Sequence, residues 1–228
     1  MKRNNLTILL MLLVIFNAVG WGIIVFDNPL TTQEIYGQNV EKTVEVKSDF
    51  GGSFAYGTGA VISADGCILT NKHMVFASKI NKNADHIYIR FVNEEDYCEV
   101  ELVEVAENED LALVKVERKG LKCFNLAKNW KEGENIYTFG NPNNFGLSFA
   151  TGQISSGIRN VIYNGVSRKV MQLSLVVNEG NSGGAIFNSQ GLLVGIVSFR
   201  ILDGDGDVVQ GITFAEPLEN IKSFLSAV

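Results

Sequence analysis

Cysteine is scarce in this chain, and its cysteines are far apart: Cys67, Cys98 and Cys123 are the three among 228 residues. Without a Cys-x-x-Cys pair, a thiolate zinc site is not expected. An odd, dispersed count also argues against a disulfide framework. The three read as buried or half-buried free thiols, with one bridge plus one free thiol as the alternative. Histidine is scarcer still. Only His73 and His86 occur, so imidazole chemistry has two candidates. Proline numbers 3 against 23 glycines. Frequent glycine between short apolar runs marks tight turns and favours an all-β architecture. A basic excess is missing too. The net charge is −6, and setting aside Lys2 and Arg3 leaves −8 for the body, which argues against nucleic acid as a partner.

Charge is absent altogether from Leu6 to Phe26, a run of 21 residues behind Lys2 and Arg3. As a helix it would span roughly 30 Å, the thickness of a bilayer core. Residues 1–26 therefore read as a signal anchor or a signal peptide. Ala18-Val19-Gly20 offers a cleavage site, but the run is longer than a signal's usual apolar region and suits a retained anchor better. In both cases the basic end stays in the cytosol and the body is exported, so a membrane contact through this helix is expected.

Residues 27–50 read as a linker ending in a first strand near Val44–Val46. The rest, 51–228, reads as short strands at 54–62, 67–70, 86–92, 97–106, 111–116, 135–139, 148–158, 168–175, 184–188, 191–199 and 208–215. Alternation is plain in Ile87-Tyr88-Ile89-Arg90-Phe91, as a half-buried strand requires. One helix opens near Pro217 and puts Leu218, Ile221 and Leu225 on one face. About a dozen strands suit two small β-barrels packed together. The chain ends at Val228, so no appended binding domain is expected.

The most informative segment is Gly180-Asn181-Ser182-Gly183-Gly184. Acyl transfer at serine needs a hydroxyl on a tight turn beside N–H groups aimed at the developing oxyanion. Flanking glycines let the backbone take that shape. The oxyanion hole is expected within Gly180, Asn181 and Ser182, from the N–H groups of Gly180 and Ser182. Taken alone, the segment also fits a glycine-rich turn between strands.

A serine nucleophile needs a general base. His73 follows the apolar run Ile68-Leu69-Thr70 and opens a turn, whereas His86 starts an alternating strand and reads as a surface residue. Asp110 heads Leu111-Ala112-Leu113-Val114-Lys115-Val116, where a strand would hold it rigidly to orient the imidazole. The order His73, Asp110, Ser182 is that of the chymotrypsin-type enzymes. No histidine follows Ser182, which excludes the α/β-hydrolase order. The α/β pattern that a subtilisin fold needs is missing.

At these residues the chain resembles the trypsin-like serine proteases of the HtrA/Deg type. Gly57-Thr58-Gly59-Ala60-Val61-Ile62-Ser63 with Thr70-Asn71-Lys72-His73-Met74-Val75 is similar to that family's histidine block. Asn108-Glu109-Asp110-Leu111-Ala112-Leu113-Val114-Lys115 resembles its aspartate block, and Gln172 through Gly184 its serine block. Phe139-Gly140-Asn141-Pro142, Gly191 through Ser198 and Gly211-Ile212-Thr213-Phe214-Ala215 resemble further segments. The departures are Met74 for the usual valine and Asn178-Glu179 for the usual Asn-Pro. Typical members carry a PDZ domain after the protease, and none is expected here. The resemblance implies two six-stranded antiparallel β-barrels, about 51–128 and 129–228, with the site between them. It implies endopeptidase action on unfolded or damaged exported proteins, and a homotrimer as a possible assembly. No metal or organic cofactor is expected.

The substrate pocket is expected to be walled by Val176, Val177, Asn178, Val197, Ser198 and Phe199. An apolar residue at Val176, where a trypsin-like pocket would hold an acid, predicts small or medium apolar side chains before the cleaved bond. Ser198-Phe199 is expected to offer backbone groups to the substrate as an extra strand. Activity is expected to rise with pH as the imidazole becomes neutral. Asp203-Gly204-Asp205-Gly206-Asp207 resembles the opening of a calcium loop, but Phe214 stands where the twelfth-position acid belongs, so it reads as an exposed loop. Two other functions fit the same fold: a protease-fold chaperone or binding protein with a silent site, and an esterase.

Overall fold

Side chains alternate across a strand, so a strand buried on both faces serves two apolar layers at once. The computed structural model, which describes residues 29–163, 165–202 and 208–228, uses that property to build two closed barrels around a shared interface. The first barrel comprises β1 (Thr43–Asp49), β2 (Phe54–Val61), β3 (Cys67–Thr70), β6 (His86–Phe91), β7 (Cys98–Val105) and β8 (Ala112–Lys115). They close in the order β1-β2-β3-β8-β7-β6. A small hairpin, β4 (Phe76–Ala77) with β5 (Lys82–Asn83), leaves the barrel after the turn that carries His73. A short β9 (Asn125–Leu126) then runs parallel to Leu192 and Leu193 of the second barrel.

The second barrel comprises β10 (Asn135–Gly140), β11 (Ser148–Tyr163), β12 (Val166–Ser174), β13 (Ala185–Asn188), β14 (Leu192–Leu202) and β15 (Val208–Pro217). A β13–β14 pairing closes it. Hairpin β11–β12 is longer than the sequence suggested, with paired residues out to Tyr163 and Val166.

Each barrel has its own filling. Val44, Val61, Ile68, Ile89, Val100 and Val114, one from every strand, pack inside the first. Ile136, Ile154, Met171, Ile186, Val194 and Ala215 do the same in the second. The alternate residues face outward into the joint between barrels, where Leu69 and Leu113 meet Phe139, Ala185 and Phe187. A one-residue slip of β3 or β13 would exchange these two layers, so register is strongly specified.

Two helices extend the joint. The C-terminal α3 (Leu218–Ala227) begins at Pro217 as expected, and buries Leu218, Ile221 and Phe224. Leu225 is only partly buried, because Phe224 at the third position along takes the inward place. Where the sequence suggested a linker, the structure has α1 (Thr32–Asn39), opened by a capping box between Thr31 and Glu34. Ile35 is 1% exposed and enters the joint, and Tyr36 sets its ring edge-on to Phe139 and Phe149 at 5.2 and 5.4 Å. Ile35→Ala is expected to destabilise the fold by about 2–5 kcal/mol, read as a lower urea midpoint. A linker residue would show no change.

The stretch 1–26, expected to be an anchor or signal, lies outside the described residues, as does the acidic loop 203–207. Among the described residues no helix is long and apolar enough to cross a membrane. All three cysteines are free and partly buried.

Candidate active site

β3 ends at Thr70, and the next residues form the single turn α2 (Lys72–Val75). Met74 and Val75 drop into the first barrel, 3% and 0% exposed, which turns His73 toward the groove between barrels. Its side chain is 46% exposed, against 5% for Asp110. Asp110 reaches it from the head of the neighbouring strand, just before β8, where Ala112 pairs with Thr70. The carboxylate takes two bonds from the same residue: Oδ1 accepts the His73 backbone N–H at 3.0 Å, and Oδ2 faces the ring Nδ1 at 2.8 Å. A carboxylate only accepts, so Nδ1 carries the proton and a neutral ring keeps its lone pair on Nε2.

Ser198 adds a third bond, its Oγ donating to Asp110 Oδ2 at 2.6 Å. Burial works to raise the Asp110 pKa, but the positive potential of His73 and the bonds from His73 and Ser198 outweigh it and hold the carboxyl down at about 2. Behind it, Glu216 Oε1 accepts the Asp110 backbone N–H at 3.1 Å, and Asn71 Nδ2 donates to the Asp110 carbonyl at 2.9 Å. Burial pushes the Glu216 carboxyl above its ordinary range, against the bonds from Asn220 and the Asp110 N–H. Arg168 brings Nη1 to 4.0 Å from both Asp110 Oδ2 and Glu216 Oε1. Ser198→Ala removes a bond to a buried charge and is expected to cost about 1.5–3 kcal/mol at neutral pH. Urea midpoints at pH 7 measure this, and acid unfolding should begin at a higher pH than in the parent.

Ser182 sits between β12 and β13 on a loop fastened from both barrels. Thr58 of β2 donates its N–H to the Ser182 carbonyl at 2.8 Å and its Oγ1 to the Gly180 carbonyl at 2.7 Å. Gly180 has φ +96° and Gly183 φ +86°, values that L side chains rarely adopt. A Cβ at Gly180 would strike the Asn141 carbonyl, and one at Gly183 the Thr58 carbonyl. The Glu179 carbonyl accepts the Asn143 N–H at 2.8 Å. In a trans peptide, N–H and C=O point oppositely, so this bond turns the Gly180 N–H away from Asn143. Ser182 Oγ itself donates to the Ser198 carbonyl at 3.4 Å. A change of χ1 rotamer is the small step that redirects such a hydroxyl.

A cleft of about 410 Å³ extends from these residues along the second barrel. Of the expected pocket wall, Val177, Asn178, Val197, Ser198 and Phe199 line it. Val176 does not. It is 64% exposed, because the segment alternates: Leu173, Leu175 and Val177 are buried while Ser174, Val176 and Asn178 face out. Arg168 and Arg200 line the cleft instead, together with the acidic Asp110 and Glu179. The Ser198 hydroxyl, Arg168, Arg200 and Glu216 were not singled out for these positions from the sequence. His86 lies on the surface, with its Nδ1 2.6 Å from Glu99.

Two six-stranded barrels, with a histidine, a buried aspartate and a loop serine lining the groove between them, are the architecture of the chymotrypsin-fold class. A family model described as a trypsin-like peptidase domain matches residues 57–196. DegS, a serine endoprotease of Haemophilus influenzae, is 36% identical over 175 residues, which is 75% of this chain and 49% of that protein. A probable periplasmic DegP-like serine endoprotease of Ectopseudomonas mendocina is 37% identical over 165 residues, 72% of this chain and 33% of its own. Among solved structures, the HtrA-type protease AlgW with a tripeptide is 26% identical, with a TM-score of 0.73 over 85% of this chain and 62% of that one. The chain belongs to the trypsin-like peptidase family and is homologous to the DegS, DegP and HtrA serine proteases. It spans about half, or a third, of the length of these two curated relatives.

Proposed function

We propose that the chain is a serine endopeptidase that hydrolyses peptide bonds in exported, unfolded or damaged proteins through an acyl-enzyme. The observation that carries this reading is the double attachment of His73 to the Asp110 carboxylate, made beside a serine on a glycine-flanked loop. His73 takes the Ser182 proton as Oγ attacks the peptide carbonyl. The Gly180 and Ser182 N–H groups, in the segment shared with Asn181, receive the oxyanion. His73 then donates the proton to the leaving amine as the C–N bond breaks. Water, deprotonated by the same imidazole, cleaves the ester and restores Ser182. Asp110 stays ionised throughout and holds the ring in one tautomer.

The names of the relatives support this reading, since those quoted above are called endoproteases or proteases. Export is supported by the DegP-like relative, which is described as periplasmic, and by the uncharged Leu6–Phe26 run. Retention of that run would tether the protease domain outside the cytoplasm. Self-association, as a trimer, is part of the same proposal. Size-exclusion chromatography with light scattering measures it.

Labelling with a fluorophosphonate, alongside cleavage of unfolded casein, tests the reading. Stoichiometric label on Ser182 with casein turnover is expected. Failure to label would mark a silent, binding-only fold, and turnover of esters but not peptides would mark an esterase. A peptide-library profile is expected to show small or medium apolar residues before the cleaved bond, and a profile dominated by Lys and Arg overturns that preference.

A further inference from the structure

Asp110 belongs to the first barrel, yet part of what holds it comes from the second. His73 and Asn71, both of the first barrel, donate to its carboxylate and its carbonyl. Ser198 of β14 and Glu216 of β15 reach it from across the joint. The Ser198 bond goes to the carboxylate. The Glu216 bond goes to the main chain, at the Asp110 N–H.

Glu216 is an unusual residue for its place. Ala215 beside it points into the second barrel, so alternation turns Glu216 the other way, into the joint. Leu111, Ile196 and Ile221 of that layer are apolar, and Ile196 is the partner of Glu216 across the β14–β15 ladder. An apolar side chain would fill such a position without electrostatic cost, whereas a carboxylate 1% exposed loses most of its hydration. Both of its oxygens are nonetheless engaged. Oε1 accepts the Asp110 N–H at 3.1 Å, and Oε2 accepts Asn220 Nδ2 at 2.7 Å. Asn220, on α3, also donates to the Lys169 carbonyl of β12 at 3.1 Å. Among the described residues, the charged groups that face Glu216 are Asp110 from the first barrel and Arg168 from β12, whose Nη1 is 4.0 Å from Oε1.

This bond falls where the ladder of the first barrel gives no support. β8 begins at Ala112, so strand pairing does not fix the peptide units on either side of Asp110. Glu216 pins the one before its Cα and Asn71 the one after it. Together they set the direction of the Cα–Cβ bond, and with it where the carboxylate stands. We propose that Glu216 is a positioning residue for the triad: by accepting the Asp110 N–H from across the joint, it aims the Asp110 carboxylate at both donors of His73. Its effect on turnover rests on the peptidase reading of Ser182, and its effect on geometry does not.

The test uses the full chain. Glu216→Gln keeps an oxygen for the Asp110 N–H, and Glu216→Leu removes it. Turnover of a peptide substrate is measured alongside the urea midpoint. Glu216→Leu is expected to lower kcat about 10- to 100-fold with KM within about twofold of the parent, and Glu216→Gln to hold kcat within about threefold of it. Asn220→Ala, at a half-buried helix position, loosens the same carboxylate without emptying the joint and is expected to lower kcat about threefold. It carries the test if the Glu216→Leu protein does not fold. Parental kcat in Glu216→Leu and Asn220→Ala, an equal loss in Glu216→Gln and Glu216→Leu, or a lower urea midpoint with kcat unaltered overturns the proposal. The geometry is read separately by the low-field proton resonance of His73 Nδ1–H in protein carrying isotope-labelled histidine. Glu216→Leu is expected to broaden or shift that resonance, and Glu216→Gln to keep it. A chain that shows this pattern and cleaves nothing loses the peptidase reading and keeps the positioning role. A resonance that Glu216→Leu and Asn220→Ala leave unmoved overturns that role.

Discussion

Replacing Ser182 with alanine is expected to lower kcat by about 10⁶-fold, to background cleavage of unfolded casein, and to abolish fluorophosphonate labelling. The size of the effect follows from the proposed chemistry, in which Ser182 Oγ is the atom that His73 deprotonates. Folding should survive. Ser182 is only partly buried, and the fastening of its loop runs through backbone atoms, the Ser182 carbonyl with Thr58 N–H and the Gly183 N–H with the Val197 carbonyl at 3.0 Å. The variant should therefore unfold at the parent's urea midpoint. Wild-type turnover by the alanine protein would remove Ser182 from the mechanism, and an unfolded variant would refute the claim that its loop is held by main chain.

Asp110→Asn is expected to lower kcat about 10⁴-fold, and for a different reason. An amide keeps the shape but can donate to Nδ1, which moves the ring proton to Nε2 and takes away the lone pair that Ser182 needs. The substitution also has a pH signature. The Asp110 carboxyl lies at about 2, below the ordinary 3.8. A lowered value means that its share of stability is fully present above about 3.8 and is lost as pH falls toward 2. Parent and variant should therefore converge in urea midpoint as the solution is acidified through that window, and differ most above it. A constant gap from neutral to acid would show that the carboxylate's charge is not what stabilises the fold there.

Much of this arrangement is legible in the sequence. The alternation at Ile87–Phe91 and Leu111–Val116 marks barrel strands because each strand must serve two apolar layers. The order of His73, Asp110 and Ser182 points to one fold class because other serine hydrolases arrange the same groups differently. What was not legible has physical reasons. α1 buries few side chains, Ile35 and Asn39, so it shows no apolar stripe, although Thr31 and Glu34 stand at capping-box spacing. Ser198 lies 88 residues from Asp110, and Glu216 lies 106 residues from it. Nothing local distinguishes a serine or glutamate that will meet a buried acid. Val176 was placed by counting back from Ser182, whereas the alternation of Leu173, Leu175 and Val177 decides which side chains face inward.

The attachment of the Ser182 loop to Thr58 has a consequence for the life of the molecule before it works. Thr58, His73 and Asp110 belong to the half of the chain made first, while Gly180 and Ser182 belong to the half made last. The nucleophile loop takes its shape only when both halves have closed and docked, since its carbonyls are held from across the joint. A nascent or half-folded copy thus carries the ingredients of a protease without the tool. On the proposed function, unfolded neighbours, including other copies of the same chain, are safe from it until its own folding is complete.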